Sequence, residues 1–179
     1  MSMTIRKRAA FCGVGLLAAV WFVSAAATQE GVEAAYPAPG FSTTLLDTPS
    51  QGKAFRLEQL RGQVVYVDFW ASWCVPCRLS FPALDQLHKK YRAQGFEVVA
   101  VNQDTAIADI TRFLARHPVG FILVADSDNS VARAYQVKAM PSGYLIDRKG
   151  KVRFVHRGFR NDSPATIDQQ ISQLLKEPA

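Results

Sequence analysis

Residues 64–70 read VVYVDFW, and ASWCVPCR follows at 71–78 without a break. A near-continuous run of β-branched and aromatic side chains predicts a strand buried on both faces. Strands of that kind belong to parallel sheets, whose connections are helices. The rest of the chain fits. Phe81, Leu84, Leu87 and Tyr91 recur at helical steps, Pro82 predicts a kink, and Gly95 ends the helix. FEVVAVNQ at 96–103 reads as the next buried strand, and TAIADITRFLARH at 105–117 as a helix with Ile107, Ile110, Phe113 and Leu114 on one face. FILVAD at 121–126 is a short strand. Asn129 and Ser130 are candidate caps for a short helix that follows. SGYLID and KVRFVHRGF flank the turn DRKGK as a hairpin, and a last helix opens with Ser163 as N-cap and Pro164 at its first position. Upstream, FSTTLLD and AFRLEQLRGQ flank TPSQGK as a second hairpin. The order is hairpin, then β-α-β-α-β-α-β-β-α. It predicts an α/β three-layer sandwich with antiparallel strands added by the last hairpin.

The first 27 residues have a different grammar. Arg6, Lys7 and Arg8 precede an uncharged run from Ala9 to Ala27, and Ala25-x-Ala27 is a candidate cleavage site. This is the pattern of an export signal, with an uncleaved membrane anchor as the alternative. Both leave the basic end in the cytoplasm and the domain outside. A lipid attachment at Cys12 fits less well, because the apolar run continues past it. Residues 28–37 read as a linker, and 38–179 as one domain. Without residues 1–27 the chain carries 18 basic and 15 acidic side chains. That balance, with no basic run interleaved with aromatics, gives no case for nucleic acid.

Cys74 and Cys77 are the two cysteines left once the leader is set aside. Structural zinc takes four ligands, and His88, His117 and His156 stand alone and far apart. Covalent haem attachment reads C-x-x-C-H, and Arg78 follows Cys77 here. A structural staple over so small a loop gains little loop entropy. A redox dithiol fits the context. The pair follows a buried strand and opens a helix, where the free N–H groups and the macrodipole favour a thiolate. Cys74 is then the exposed nucleophile and Cys77 the shielded, resolving thiol. No cofactor is implied. Trp70 and Tyr135 read as core, His88 and His117 as solvated helix residues, and His156 as outward-facing.

VDFWASWCVPCR resembles the active-site strand and motif of the thioredoxin superfamily. The element order over residues 38–177, with a hairpin before the core and an extra helical segment after the second core strand, resembles the TlpA-like exported reductases. The resemblance implies a thioredoxin-like α/β/α sandwich with Cys74 and Cys77 as its redox pair. It implies that Pro141, in AMPSGYLID, is the cis-proline facing the dithiol, with the Met140 backbone beside Cys74. A substrate strand adds there, against Trp73, Val75, Pro76, Met140 and Pro141. Asp68 matches the acidic group under the second cysteine, where burial raises its pKa and suits it to take the Cys77 proton. The chain departs from the pattern at Ser80, where many TlpA-like reductases carry glutamate. It also lacks a lysine in FEVVAVNQ and the glycine-rich segment of the cytochrome c maturation branch. The expected activity is reduction of protein disulfides outside the cytoplasm, by a monomer recharged by a membrane thiol-reductase donor. Two alternatives stand beside it. One is Cu(I) handling through the same cysteines, although copper chaperones on this fold use C-x3-C and a distant histidine. The other is a thiol peroxidase, whose threonine three residues before the reactive cysteine is replaced by Ala71.

Overall fold

The structure is a computed structural model, and it describes residues 32–46 and 52–178. The leader at 1–27 and most of the first hairpin's turn therefore lie outside the described residues. Among those residues, six strands form one mixed sheet: β1 (Val32–Pro37), β4 (Val64–Trp70), β5 (Phe96–Asn102), β6 (Ile122–Ala125), β7 (Ser142–Ile146) and β8 (Lys151–Arg157). Their order is β1-β8-β7-β4-β5-β6. The strands β2 (Ser42–Thr44) and β3 (Ala54–Arg56) pair separately as the expected hairpin. The helices are α1 (Cys77–Tyr91), α2 (Ile107–Arg116), α3 (Ser130–Ala134) and α4 (Ser163–Leu175).

All seven residues of β4 are buried, which explains its uninterrupted apolar sequence. Period-two alternation divides them between two cores. Val64, Tyr66 and Trp70 face α1, α2 and α4, packing with Phe81, Leu84, Phe113, Ile167 and Ile171. Val65, Val67 and Phe69 face α3 and the hairpin, packing with Phe41, Phe55, Val131 and Tyr135. Helices on one face and a short helix with a hairpin on the other make the three-layer sandwich. β4 and β5 are parallel and so need the α1 crossover, and α2 serves β5 and β6 likewise. β4 and β7 are antiparallel, with Phe69 opposite Ser142. That register brings the start of β7 to the end of β4, where the two cysteines follow.

The inner end of this arrangement is pinned by aromatics. The Trp70, Phe81 and Phe113 rings lie 4.5, 4.8 and 5.1 Å apart, joining β4, α1 and α2. Burying a side chain such as Phe81 stabilises the fold by about 2–3 kcal/mol. α1 continues past Pro82 to Tyr91.

Several local readings change. Residues 32–37 are not linker but the edge strand β1, antiparallel to β8. Backbone pairing holds an edge strand with little side-chain signal, and Pro37 at its end costs no ladder bond within the sheet. Asn129 holds the N-cap position of α3, but its side chain makes no cap hydrogen bond. Asn129 is left-handed, and the Asp126 carboxylate accepts from the backbone N–H groups of Val131 and Ala132 at 3.0 and 2.9 Å. Asp162 precedes α4, and the Ser163 hydroxyl accepts from the Arg160 N–H instead. Ile107 is exposed rather than packed. His88 is buried and lies 2.9 Å from Glu97 on β5, so it is not a solvated helix residue. His156 is buried too, on the α1/α4 face, where its ring sits 5.8 Å from that of Tyr66.

Candidate active site

β4 ends at Trp70, and the chain turns through Ala71–Pro76 before α1 begins at Cys77. The Cys74 N–H donates to the Ala71 carbonyl, and those of Leu79 and Ser80 to the Pro76 carbonyl, so the turn runs directly into the helix. Cys74 and Cys77 are joined as a disulfide. Cys77 is wholly buried and Cys74 retains 4% exposure. Both cysteines are thus buried, and Cys74 is not the exposed side chain that the sequence suggests. Around it the surface is apolar: Trp73 is 66% exposed and Val75 65%. Leu79, one turn into α1, is exposed as well.

The Met140–Pro141 peptide bond is cis. Pro141 is buried, and its carbonyl accepts from Gly158 at 2.8 Å. Met140 is half-buried against the same core cluster that contains both cysteines. Its backbone forms no hydrogen bond among the described residues.

Asp68 lies on β4 between Tyr66 and Trp70 in alternation, on the face that α1 covers. It is 1% exposed, and its Oδ2 has no hydrogen-bond partner among the described residues. Burial pushes its carboxyl well above the usual carboxylate range. Across the sheet Asp68 pairs with Gly143 of β7, and Gly143 with His156 of β8. A side chain at Gly143 would overlap the Tyr66 hydroxyl and ring. Glycine there lets the Tyr66 ring lie over β7, between Asp68 and His156. Burial first, and the Asp68 charge second, push the Tyr66 phenol up.

A family model, described as redoxin, matches residues 33–171. The chain belongs to the redoxin family. It is 36% identical over 137 residues to the thiol-disulfide oxidoreductase ResA of Bacillus subtilis, covering 76% of this chain and 74% of that protein. Among solved structures it is similar to a Chlorobium tepidum protein described as thiol:disulfide interchange protein DsbE. The identity is 42% and the TM-score 0.75, over 80% of this chain and 99% of that one. A Bacteroides thetaiotaomicron protein described as a protein disulfide isomerase is 28% identical with TM-score 0.72, over 83% and 94% of the two chains. These likenesses make the chain a TlpA-like member of the thioredoxin superfamily and a thiol-disulfide oxidoreductase.

In this redoxin the dithiol loop has an anchor that sequence reading missed. The Asp104 carboxylate, buried just past β5, accepts from the Ser72 N–H at 2.7 Å, the Ser72 hydroxyl at 2.8 Å and the Asn102 amide at 2.8 Å. The Gln103 N–H donates to the Trp70 carbonyl beside it. The loops that follow β4 and β5 are thereby held as one unit. A polar N-x-D at a strand end was the available signal, and it resembles any turn. Tyr66 and His156 were missed for another reason: only strand register brings them to Asp68. Among the described residues no group of three or more His, Cys, Asp or Glu side chains gathers as a metal site, and His88 Nε2 lies 2.9 Å from the Glu97 carboxylate.

Proposed function

We propose that this redoxin is an exported reductase of protein disulfides. The observation that carries the reading is the joined Cys74–Cys77 pair at the β4–α1 junction, with Trp73 and Val75 exposed around it and Met140 packed against the same core cluster. Export is supported by the basic-then-apolar order of residues 1–27. Among the described residues no helix is long and apolar enough to cross a membrane.

In the reduced protein the Cys74 thiolate attacks one sulfur of a substrate disulfide. The S–S bond breaks, the departing sulfur leaves as a thiolate, and Cys74 is left in a mixed disulfide. The Cys77 thiol then loses its proton and attacks the Cys74 sulfur. The Cys74–Cys77 disulfide forms, the second substrate thiol leaves, and two electrons have passed to the substrate. Asp68 receives the Cys77 proton; a buried carboxylate with a raised pKa is basic enough for that task. Trp73, Val75, Pro76, Met140 and Pro141 form the surface that takes the substrate strand, whose backbone pairs with that of Met140. A dithiol donor in the membrane returns the two electrons, and the chain works as a monomer.

Trapping tests the reading. Cys77→Ser protein, expressed in its own host, is expected to hold protein partners through a disulfide to Cys74, and Cys74→Ser protein to hold none and to reduce no model disulfide. Capture of no protein, or activity surviving in Cys74→Ser, overturns it. Direction is read separately, from the reduction potential. A value near that of a strong oxidant, about −120 mV, would refute the reductase assignment.

A further inference from the structure

Beside the dithiol, the start of α1 and the length of α2 enclose a groove of about 390 Å³. Its walls include Ser72 and Arg78, which flank the two cysteines in sequence, and Arg112, Arg116 and His117 of the α2 segment. Phe113 forms the apolar floor, packed on Trp70 and Phe81 and with the His117 ring at 4.5 Å. One acid is present, Asp109, and it is paired with Arg112 at 2.7 Å. Arg78 and Arg116 are exposed and have no acidic partner among the described residues. Three guanidinium groups thus share with one carboxylate a groove lined by Ser72 and Arg78, which bracket the Cys74–Cys77 segment in sequence.

An isolated surface arginine is ordinarily just solvated. Here they come from two elements and converge on one concavity. Trp73, Val75 and Leu79, neighbours in sequence of the lining residues Ser72 and Arg78, are exposed, as is Ile107 at the start of α2. The whole surface therefore reads as apolar at the sulfurs and cationic to one side. Guanidinium forks suit carboxylates, and charges at the edge of a contact act mainly through encounter and partner choice.

We propose that the α1/α2 groove docks an acidic segment of the protein partner, lying beside the cysteines that exchange with Cys74. The inference rests on the reductase reading and adds a specificity determinant to it. Substrates or donors with Glu or Asp flanking the reacting cysteine are preferred, and those with Lys or Arg there are turned away.

Cysteine-free peptides of twelve residues, carrying four glutamates or four lysines around a common apolar centre, test this on the full oxidised chain. NMR titration at low salt is expected to give at least about tenfold tighter binding of the glutamate peptide, with amide shifts at Ser72, Arg78 and Arg116. The preference should shrink severalfold in 0.5 M salt, where screening shortens to a few ångströms. Arg112→Gln/Arg116→Gln protein should lose most of the preference with an unchanged melting temperature, since both side chains are exposed. If that variant is unstable, the peptide charge series on the unaltered protein decides alone. Equal binding of the two peptides, shifts confined to another face, or a preference kept by a stable double variant overturns the proposal. So does a short single-stranded nucleic acid binding as tightly with the same shifts. No thiol exchange enters the measurement, so charge-blind binding speaks against the groove, while failure to reduce disulfides speaks against the proposed function.

Discussion

Replacing Asp68 by asparagine separates the cost of burying a charge from the use made of it. Asp68 is wholly buried with one oxygen unpartnered, and burial raises its carboxyl pKa. Asparagine is a neutral near-copy of the protonated acid. Between the unfolded-state pKa, about 3.9, and the higher folded-state value, the folded chain keeps a proton that the unfolded chain has lost. Stability from this group is therefore full below the unfolded pKa and declines as pH rises towards the folded one. The limiting slope for one proton is about 1.4 kcal/mol per pH unit. Asp68→Asn removes that slope. Urea unfolding of both oxidised proteins between pH 4 and 9 measures the difference, and neither Cys74 nor Cys77 titrates because the two are joined. The variant should match the parent at pH 4 and be the more stable one above it, with a gap that widens and then levels. In the reduced protein the same change should slow release from a Cys74 mixed disulfide tenfold or more and flatten its pH profile. A stability difference independent of pH, or a variant less stable at pH 8 than at pH 4 relative to the parent, would refute the reasoning. An unchanged release rate would leave Asp68 structural.

Gly143→Ala should destabilise by about 1–3 kcal/mol, because its methyl group overlaps the Tyr66 ring and hydroxyl. Thermal unfolding reads it, and adding Tyr66→Phe should recover part of the loss. Asp104→Ala leaves three donors without their acceptor and should cost about 2–3 kcal/mol, with faster amide exchange at Ser72. Asp126→Ala removes the α3 cap and should cost about 1–2 kcal/mol by denaturant unfolding. Phe81→Ala, at the centre of the aromatic cluster, should cost about 3–5 kcal/mol in the same assay.

What the sequence made legible is what periodicity carries. The β4 run, the stripe on α1 and the alternation of strands with helices led to the layers, because each must bury an apolar face. The cysteine pair was legible because a motif and its strand-helix setting coincide. Contacts made across strands were not. His156 looks outward by local alternation, yet its neighbour Gly143 carries no side chain, and the space is filled by Tyr66 from the strand beyond. His88 reads as a solvated helix residue until Glu97 on β5 supplies its partner. β1 was hidden because its hold on β8 is backbone to backbone. The caps at Asp126 and Asp104 were missed because each carboxylate sits several residues, or a whole crossover, from the N–H groups it serves.

The Asp104 clasp also divides labour within a short stretch of chain. α2 starts three residues beyond it, and its inner side chains Ile110 and Phe113 are locked beneath Trp70 and Phe81. The outer side chains, Ile107, Arg112 and Arg116, are exposed and are not part of the hydrogen bonds that hold the dithiol loop. The address of the partner can thus be rewritten on one side of α2 while the electron-carrying sulfurs, held by the other side and by the carboxylate, stay where they are.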